Sequence, residues 1–445
     1  MRLIPKVRES GSPDGASRVD GVFVNCRKRG DIMEGLRNSV VLNHRLWEGG
    51  GTVELELPAH WNVKVLPMNG DNKPILREAD YEASLSSLAP LLKGKKEICI
   101  LFDDLSRPTK TFQVIPSLLR LFERCGVRDE QVRFLCSLGA HAPLDNGAFR
   151  KKLGEEVLER FPVYNHNCLG NCEDLGTTSL GTPILINREY HSCDLKIGIG
   201  SFVPHIFCGY SGGYKIVMPG VAHLDAITHH HRMLTWESVK FDALGNSNHN
   251  AFLDDLREFG STAGLHIKID FLVNSAADGT DVFAGNPDHL YDHMLTRAPV
   301  HYATPVPGGA DVVFTNVYAK ANEAAIAVGQ AERLLKDKGG DIVCLCDTDM
   351  GQVVHYVFGR FGKECWGRLA GGPRTKHPKV RRIFLVSRYK DLAGSYCFGR
   401  DEDLCWFRDV REVVRALDDE YKNRALDVHV VPDATIQMFS FTERQ

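Results

Sequence analysis

The residue types that could do chemistry fall into three short polar segments, each directly after an apolar run of strand length. The first, DDLSRPTKT, puts Asp103, Asp104, Ser106 and Arg107 just before a proline that suits a turn or a first helical position. Such a segment presents a guanidinium and helix N–H groups to an anion, or else it is a capped helix with a surface ion pair. The second, SLGAHAPLD, has Gly139 for a tight turn and His141 beyond a strand end. Imidazole is the side chain best matched to acid–base work near neutral pH, although an isolated histidine is also an ordinary exposed residue. In the third, residues 201–234, Gly209, Gly212, Gly213, Gly220, Pro204 and Pro219 surround Lys215. Glycines let a backbone approach a bulky ligand and expose N–H groups to phosphate. GYSGGYK lacks the P-loop spacing, and no Ser or Thr follows Lys215, which excludes a nucleoside-triphosphatase reading. His223, His229, His230 and His231 follow, as a metal site or as a solvated polar face. Neighbouring helical positions diverge by about 100°, so His230 and His231 cannot both serve one site and a single ligand is expected.

Positioning these segments requires a sheet. Apolar runs at 97–102, 131–138 and 194–200 alternate with helix-length amphipathic stretches such as FQVIPSLLRLFERCG. That alternation indicates an α/β sheet, in which ligands gather outside the carboxyl ends of the strands. The rhythm restarts with strands expected at 311–316, DIVCLC, 382–387 and DVHVVP, and a helix over NEAAIAVGQAERLLKDKGG whose Lys and Gly suit its C-terminus. The expected fold is two α/β domains with mainly parallel sheets and an active-site cleft between them. An extended lead-in is expected over 1–45, a catalytic and cofactor-binding domain over 46–295, and a second α/β domain closing the cleft over 296–445.

Composition narrows the partners. The 445 residues carry 54 Lys and Arg against 57 Asp and Glu, a formal charge of -3, which offers no field for nucleic acid and favours a small molecule. No run approaches the about 20 apolar residues that span a bilayer, and the first residues lack the apolar core of a signal peptide, so a cytoplasmic protein is expected. Thirteen cysteines, mostly inside apolar runs, read as free buried thiols. Cys168 and Cys172 have no second pair at zinc-ribbon spacing and read as small core residues.

Together the three segments resemble the nickel-dependent lactate racemase family. The DD-x-T-R-P motif of that family is matched by Asp103-Asp104-Leu105-Ser106-Arg107-Pro108, and its G-T-H-R-P by Gly139-Ala140-His141-Ala142-Pro143. The long P-H-x-F-x-G-[FY]-S-G-G-x-K-x-x-x-P-G-V run is matched from Pro204 through Val221, and the N-H of the next helix by His230-His231. Weaker matches extend over most of the first domain.

The resemblance implies a racemase or epimerase of a 2-hydroxy acid that works by hydride transfer to and from a nickel-pincer nucleotide. By that resemblance Lys215 anchors the cofactor covalently, His231 is the nickel ligand, and His141 and His205 are paired acid/base histidines. Arg107 contacts the substrate's anionic group and Lys320 faces the substrate. Asp104, Ser211, Gly212 and Gly213 join Lys215 around the cofactor, with its phosphate against the glycine-rich backbone. Enzymes that make the cofactor are implied partners. The types suit the chemistry: an imidazole pKa of about 6.5 allows exchange near neutral pH, arginine holds a carboxylate bidentately, and soft donors suit nickel.

The chain also departs from the family pattern. Ala140 and Ala142 replace a threonine and an arginine, removing a hydroxyl and a charge near the pocket, so the substrate is expected to differ from lactate. The second-domain G-G-Y-P-K-D-x-N pattern survives only across Thr315–Asn322, keeping Lys320 but losing the Pro and Asp. The alternatives are a hydride-transfer enzyme without net inversion and a nickel or nucleotide carrier. Two acid/base histidines beside an anion-binding arginine speak for the enzyme.

Overall fold

The computed structural model describes residues 38–441 apart from 238, 240–243, 247–249 and 423, so most of the expected lead-in lies outside the described residues. Two six-stranded sheets organise the rest. The first runs in the order Gly279–Gly285, Ile267–Val273, Leu195–Ser201, Ile98–Asp103, Val132–Ser137, Val163–Asn165, parallel except at the first pair. Every residue of the Ile98–Asp103 and Leu195–Ser201 strands is buried, as a parallel sheet covered on both faces requires. The Ile115–Arg124 helix starts with Pro116 in its first turn and lays Leu118, Leu121 and Phe122 into the core.

The second sheet is wholly parallel: Leu404–Phe407, Val380–Val386, Gly340–Leu345, Val312–Asn316, Asp427–Val431, Asn62–Val65. Its last strand comes from the beginning of the chain. Residues 38–43, expected in the lead-in, form a strand paired antiparallel with Thr52–Leu57. Leu42, Leu55, Leu57 and Trp61 then pack with Val312, Phe314 and Val430 of the second sheet. Alternation marks the apolar face of TVELEL but does not say which sheet covers it: residues 52–65, expected in the first domain, pack on the second sheet, while Trp47 packs with Leu105 and Ala148 of the first body. Residue 295, the expected boundary, falls inside the Pro287–Tyr302 helix, which buries Met294, Ala298 and Tyr302 in the first core. The chain crosses to the second body only at Ala303–Val306, which pairs with Met438–Phe441.

The helix expected over 322–340 spans Ala325–Leu334, and Lys336 pairs instead with Asp311 and Asp427. Between Gly340–Leu345 and Val380–Val386, an irregular strap reaches across to the first body. Tyr356 N donates to Ala140 O at 2.8 Å, Ala142 N donates to Val354 O at 3.3 Å, and His141 and His355 face each other in an antiparallel bridge. Among the described residues the cysteines are free, with Cys168 buried and Cys172 partly so, and no helix is long and apolar enough to cross a membrane.

Candidate active site

Strand ends bring the three polar segments together. Asp103 closes one strand, Ser137 the next and Ser201 the third, so the loops carrying Arg107, His141 and Lys215 leave the same edge of the first sheet. A cavity of about 290 Å³ lies there, walled on the other side by the second body. Arg107, His141, His205, Lys215 and His231 all line it, as do Asp104, Ser211 and Gly212.

His141 and His205 are held in different states. Asp104 Oδ2 lies 2.6 Å from His141 Nδ1, which places the ring hydrogen on Nδ1 and leaves Nε2 as an acceptor. Burial works against ionisation of Asp104, yet His141, Arg107 and Ser106 hold its carboxyl well below the usual carboxylate range. The ring of His205 is turned the other way, because Phe207 N donates to its Nδ1 at 3.1 Å and the hydrogen therefore sits on Nε2. Burial first, and then Lys215, Lys320 and Arg107, push the His205 pKa well below the usual imidazole value. The ordinary pKa expected of both rings is thus replaced, at His205, by a neutral ring that gives up any added proton readily.

A buried ion pair shapes the glycine-rich turn. Asp270 Oδ2 accepts from Gly213 N at 2.9 Å, while Lys268 Nζ holds its other oxygen. Gly212 and Gly213 have φ of 107° and 52°, which only glycine adopts freely, and a Cβ on Gly213 would lie 2.7 Å from Tyr291. Gly213 is therefore behind the cavity rather than in its wall. The Ser211 hydroxyl is within hydrogen-bond reach of the carbonyls of Ser201 and Val203 and so braces the turn it belongs to. Lys215 follows, its pKa lowered by burial, which favours the nucleophilic amine.

The Leu224–Arg232 helix separates the histidines as the spacing predicts. His230 is fully buried with Nε2 bonded to Phe252 O at 2.9 Å, whereas His231 faces the cavity with Nδ1 bonded to Ile227 O at 2.8 Å. His231 Nε2 is thereby left with its lone pair free towards the cavity. His229 bonds Thr182 and His223 caps the helix. Among the described residues no three His, Cys, Asp or Glu converge on a metal, so a metal at His231 would take its other donors from a cofactor. Ser137 Oγ and Ser201 Oγ, both in the cavity wall, are buried without a hydrogen-bond partner. Two orphaned hydroxyls beside a glycine turn, an amine and one imidazole fit a polar, metal-bearing cofactor.

Lys320 does not line the cavity. It is fully buried, its Nζ donates to Pro204 O at 3.2 Å beside His205, and burial followed by the Arg107 charge lowers its pKa to about 7. Sequence reading missed two neighbours. Glu323 accepts from Arg107 Nη1 at 2.8 Å across the cleft, and His355 stands 5.2 Å from His141 between ring centroids. Glu323 carries a weak signal, three residues after Lys320, but His355 lies in an irregular stretch with no motif. Arg107 also donates to Ser106 through the same Nη1, so its other nitrogens remain for a ligand.

Residues 49–241 match the family model of the lactate racemase N-terminal domain. A protein named lactate racemase from Lactiplantibacillus plantarum is 28% identical over 210 residues, 47% of this chain and 48% of that one. Another of the same name from Thermoanaerobacterium thermosaccharolyticum is 28% identical over 221 residues, 49% of this chain and 51% of that one. The chain thus spans about half the length of the curated relatives it matches. The fold agrees further: the lactate racemase apoprotein structure from Thermoanaerobacterium thermosaccharolyticum superposes with a TM-score of 0.67 at 18% identity, over 90% of this chain and 100% of that one. A crystal structure of a Thermotoga maritima protein gives 0.62 at 16% identity, over 83% and 100%.

Proposed function

We propose that this chain, whose residues 49–241 match the lactate racemase N-terminal domain, is a racemase or epimerase of a 2-hydroxy acid. The observation that carries the reading is the convergence of two differently set histidines, a half-paired arginine, an amine and one ligating imidazole on a single cavity. A nickel-pincer nucleotide, when bound, supplies the hydride acceptor and donor. Lys215 would anchor it, His231 would ligate its metal, and the Gly212 backbone with the hydroxyls of Ser137 and Ser201 would receive its polar groups, Ser211 and Gly213 holding the turn.

The α-hydrogen of a hydroxy acid is poorly acidic, so inversion through a carbanion faces a high barrier, and removing it as hydride avoids that species. His141 Nε2 takes the hydroxyl proton as the hydride leaves, and Asp104 stabilises the imidazolium that forms. The planar keto acid stays bound through Arg107, whose uncommitted nitrogens hold the carboxylate, with Lys320 supporting that charge from behind. Return of hydride to the opposite face needs a proton on the oxygen. His205 gives one after gaining it from solvent, its buried ring beside Lys215, Lys320 and Arg107 releasing the added proton readily, and the proton left on His141 returns to solvent.

Intact-protein mass and metal analysis test the anchor, on material co-expressed with the cofactor's biosynthetic enzymes. A cofactor-sized adduct and nickel are expected with native Lys215 and neither with Lys215→Ala; inversion is then read by chiral chromatography. Absence of both from the native protein would sink the reading.

A further inference from the structure

Beside the main cavity lies a second one of about 440 Å³, and the two share Asp104, His141, Asn322, Gln352 and Val353 in their walls. Ala142 contributes only a methyl group to it, so this space continues from the point where His141 would meet the reacting carbon. Asn322 sits at the junction, 7% exposed, with its Oδ1 buried and without a hydrogen-bond partner. A buried acceptor left open is costly unless a ligand fills it. His355 lines the main cavity only, two residues along the chain from the shared Val353. Val357 N and Phe358 N reach its Nδ1 at 3.2 and 3.3 Å, so the ring hydrogen is on Nε2, and burial with His141 beside it keeps the ring neutral. A ligand that passes from the main cavity into the second one therefore meets one donor on the main-cavity side and one open acceptor at the junction.

We infer that the second cavity is a tail subsite, and that the substrate is a hydroxy acid whose chain continues beyond the α-carbon with hydroxyl groups. One tail hydroxyl donates to Asn322 Oδ1 and a tail oxygen accepts from His355 Nε2–H. Other tails satisfy only half of this pattern. A carboxylate could not donate to Asn322 and would draw only on the exposed Lys151 while facing the carboxylates of Asp104 and Asp145, and an ammonium could not accept from His355. A methyl would leave both groups unpaired. The inference rests on the racemase reading, which puts the reacting end at His141 and Arg107.

Calorimetric binding of glycerate, erythronate and lactate to the nickel-loaded protein tests the subsite, with inversion of each followed separately by chiral chromatography. Erythronate and glycerate are expected to bind at least about tenfold more tightly than lactate, since one well-formed hydrogen bond to a buried group is worth that factor. Asn322→Leu removes the acceptor and Ala142→Arg fills the space from the loop side; each is expected to bring the ratio close to one. A wild-type ratio near one, or a ratio that both variants preserve, would overturn the subsite and leave the racemase reading standing. Selective binding without inversion of any acid would instead overturn the racemase reading and leave the subsite.

Discussion

The two candidate acid/base histidines owe their difference to single hydrogen bonds. Asp104 takes the Nδ1 hydrogen of His141, whereas a backbone N–H occupies Nδ1 of His205. Asp104 therefore acts through His141 rather than on a substrate. Asp104→Asn keeps the shape but no longer stabilises an imidazolium, so kcat for inversion is expected to fall by about 100-fold or more, with KM changed far less. The acidic limb of the kcat profile should move with it, which a purely structural role for Asp104 would not produce. Equal losses in kcat and in thermal stability, with the pH profile unmoved, would contradict this role.

The elements matter because they let backbone stand where a side chain cannot. Gly220 O accepts from Gly139 N at 2.9 Å, tying the His141 loop to the Lys215 loop. A Cβ on Gly220 would meet Ile216 O at 2.0 Å, a backbone atom that cannot swing away. Gly220→Ala is expected to lower stability by about 2–3 kcal/mol, read as a shift of the urea midpoint, because overpacking against fixed atoms costs that much. A shift close to zero would mean that the two loops can part without cost. The strap is the complementary case, an element without regular structure that closes the cavity through two backbone hydrogen bonds and the packing of Phe358 against His231 at 5.7 Å.

Across the whole molecule the two bodies meet through charge as well as backbone. Arg107 pairs with Glu323, and Arg368 with Asp225, one partner of each from either body. Acid sensitivity, by contrast, resides in buried neutral histidines. His166, bonded to Ala222 O and to Asn187, and His429 in the second sheet both have pKa values lowered to about 4, chiefly by burial. The unfolded chain binds protons at these sites from about pH 6.5 downward while the folded chain does not. Their stabilisation is therefore complete above pH 6.5 and is lost progressively as the pH falls to about 4. The urea midpoint is expected to drop between pH 7 and pH 5, and His166→Gln should flatten that drop even if it lowers the midpoint at pH 7. An unchanged slope in the variant would remove His166 from the account.

The sequence by itself determined the alternation of strands and helices, the three polar segments at strand ends, and the separation of His230 from His231. All of these follow from local periodicity, from turn chemistry, and from the rule that ligands gather at the carboxyl ends of parallel strands. The match of the Pro204–Val221 run was legible for the same reason, since one continuous stretch builds one turn. Only the tertiary structure decided that 38–43 and 52–65 pack on the second sheet, because an apolar face does not carry the address of its partner. It also decided which ring nitrogen of His141 and His205 bears the hydrogen, and that Glu323 and His355 stand over the first body's residues. Those contacts join positions up to 216 residues apart, and nothing in local sequence encodes a neighbour at that distance.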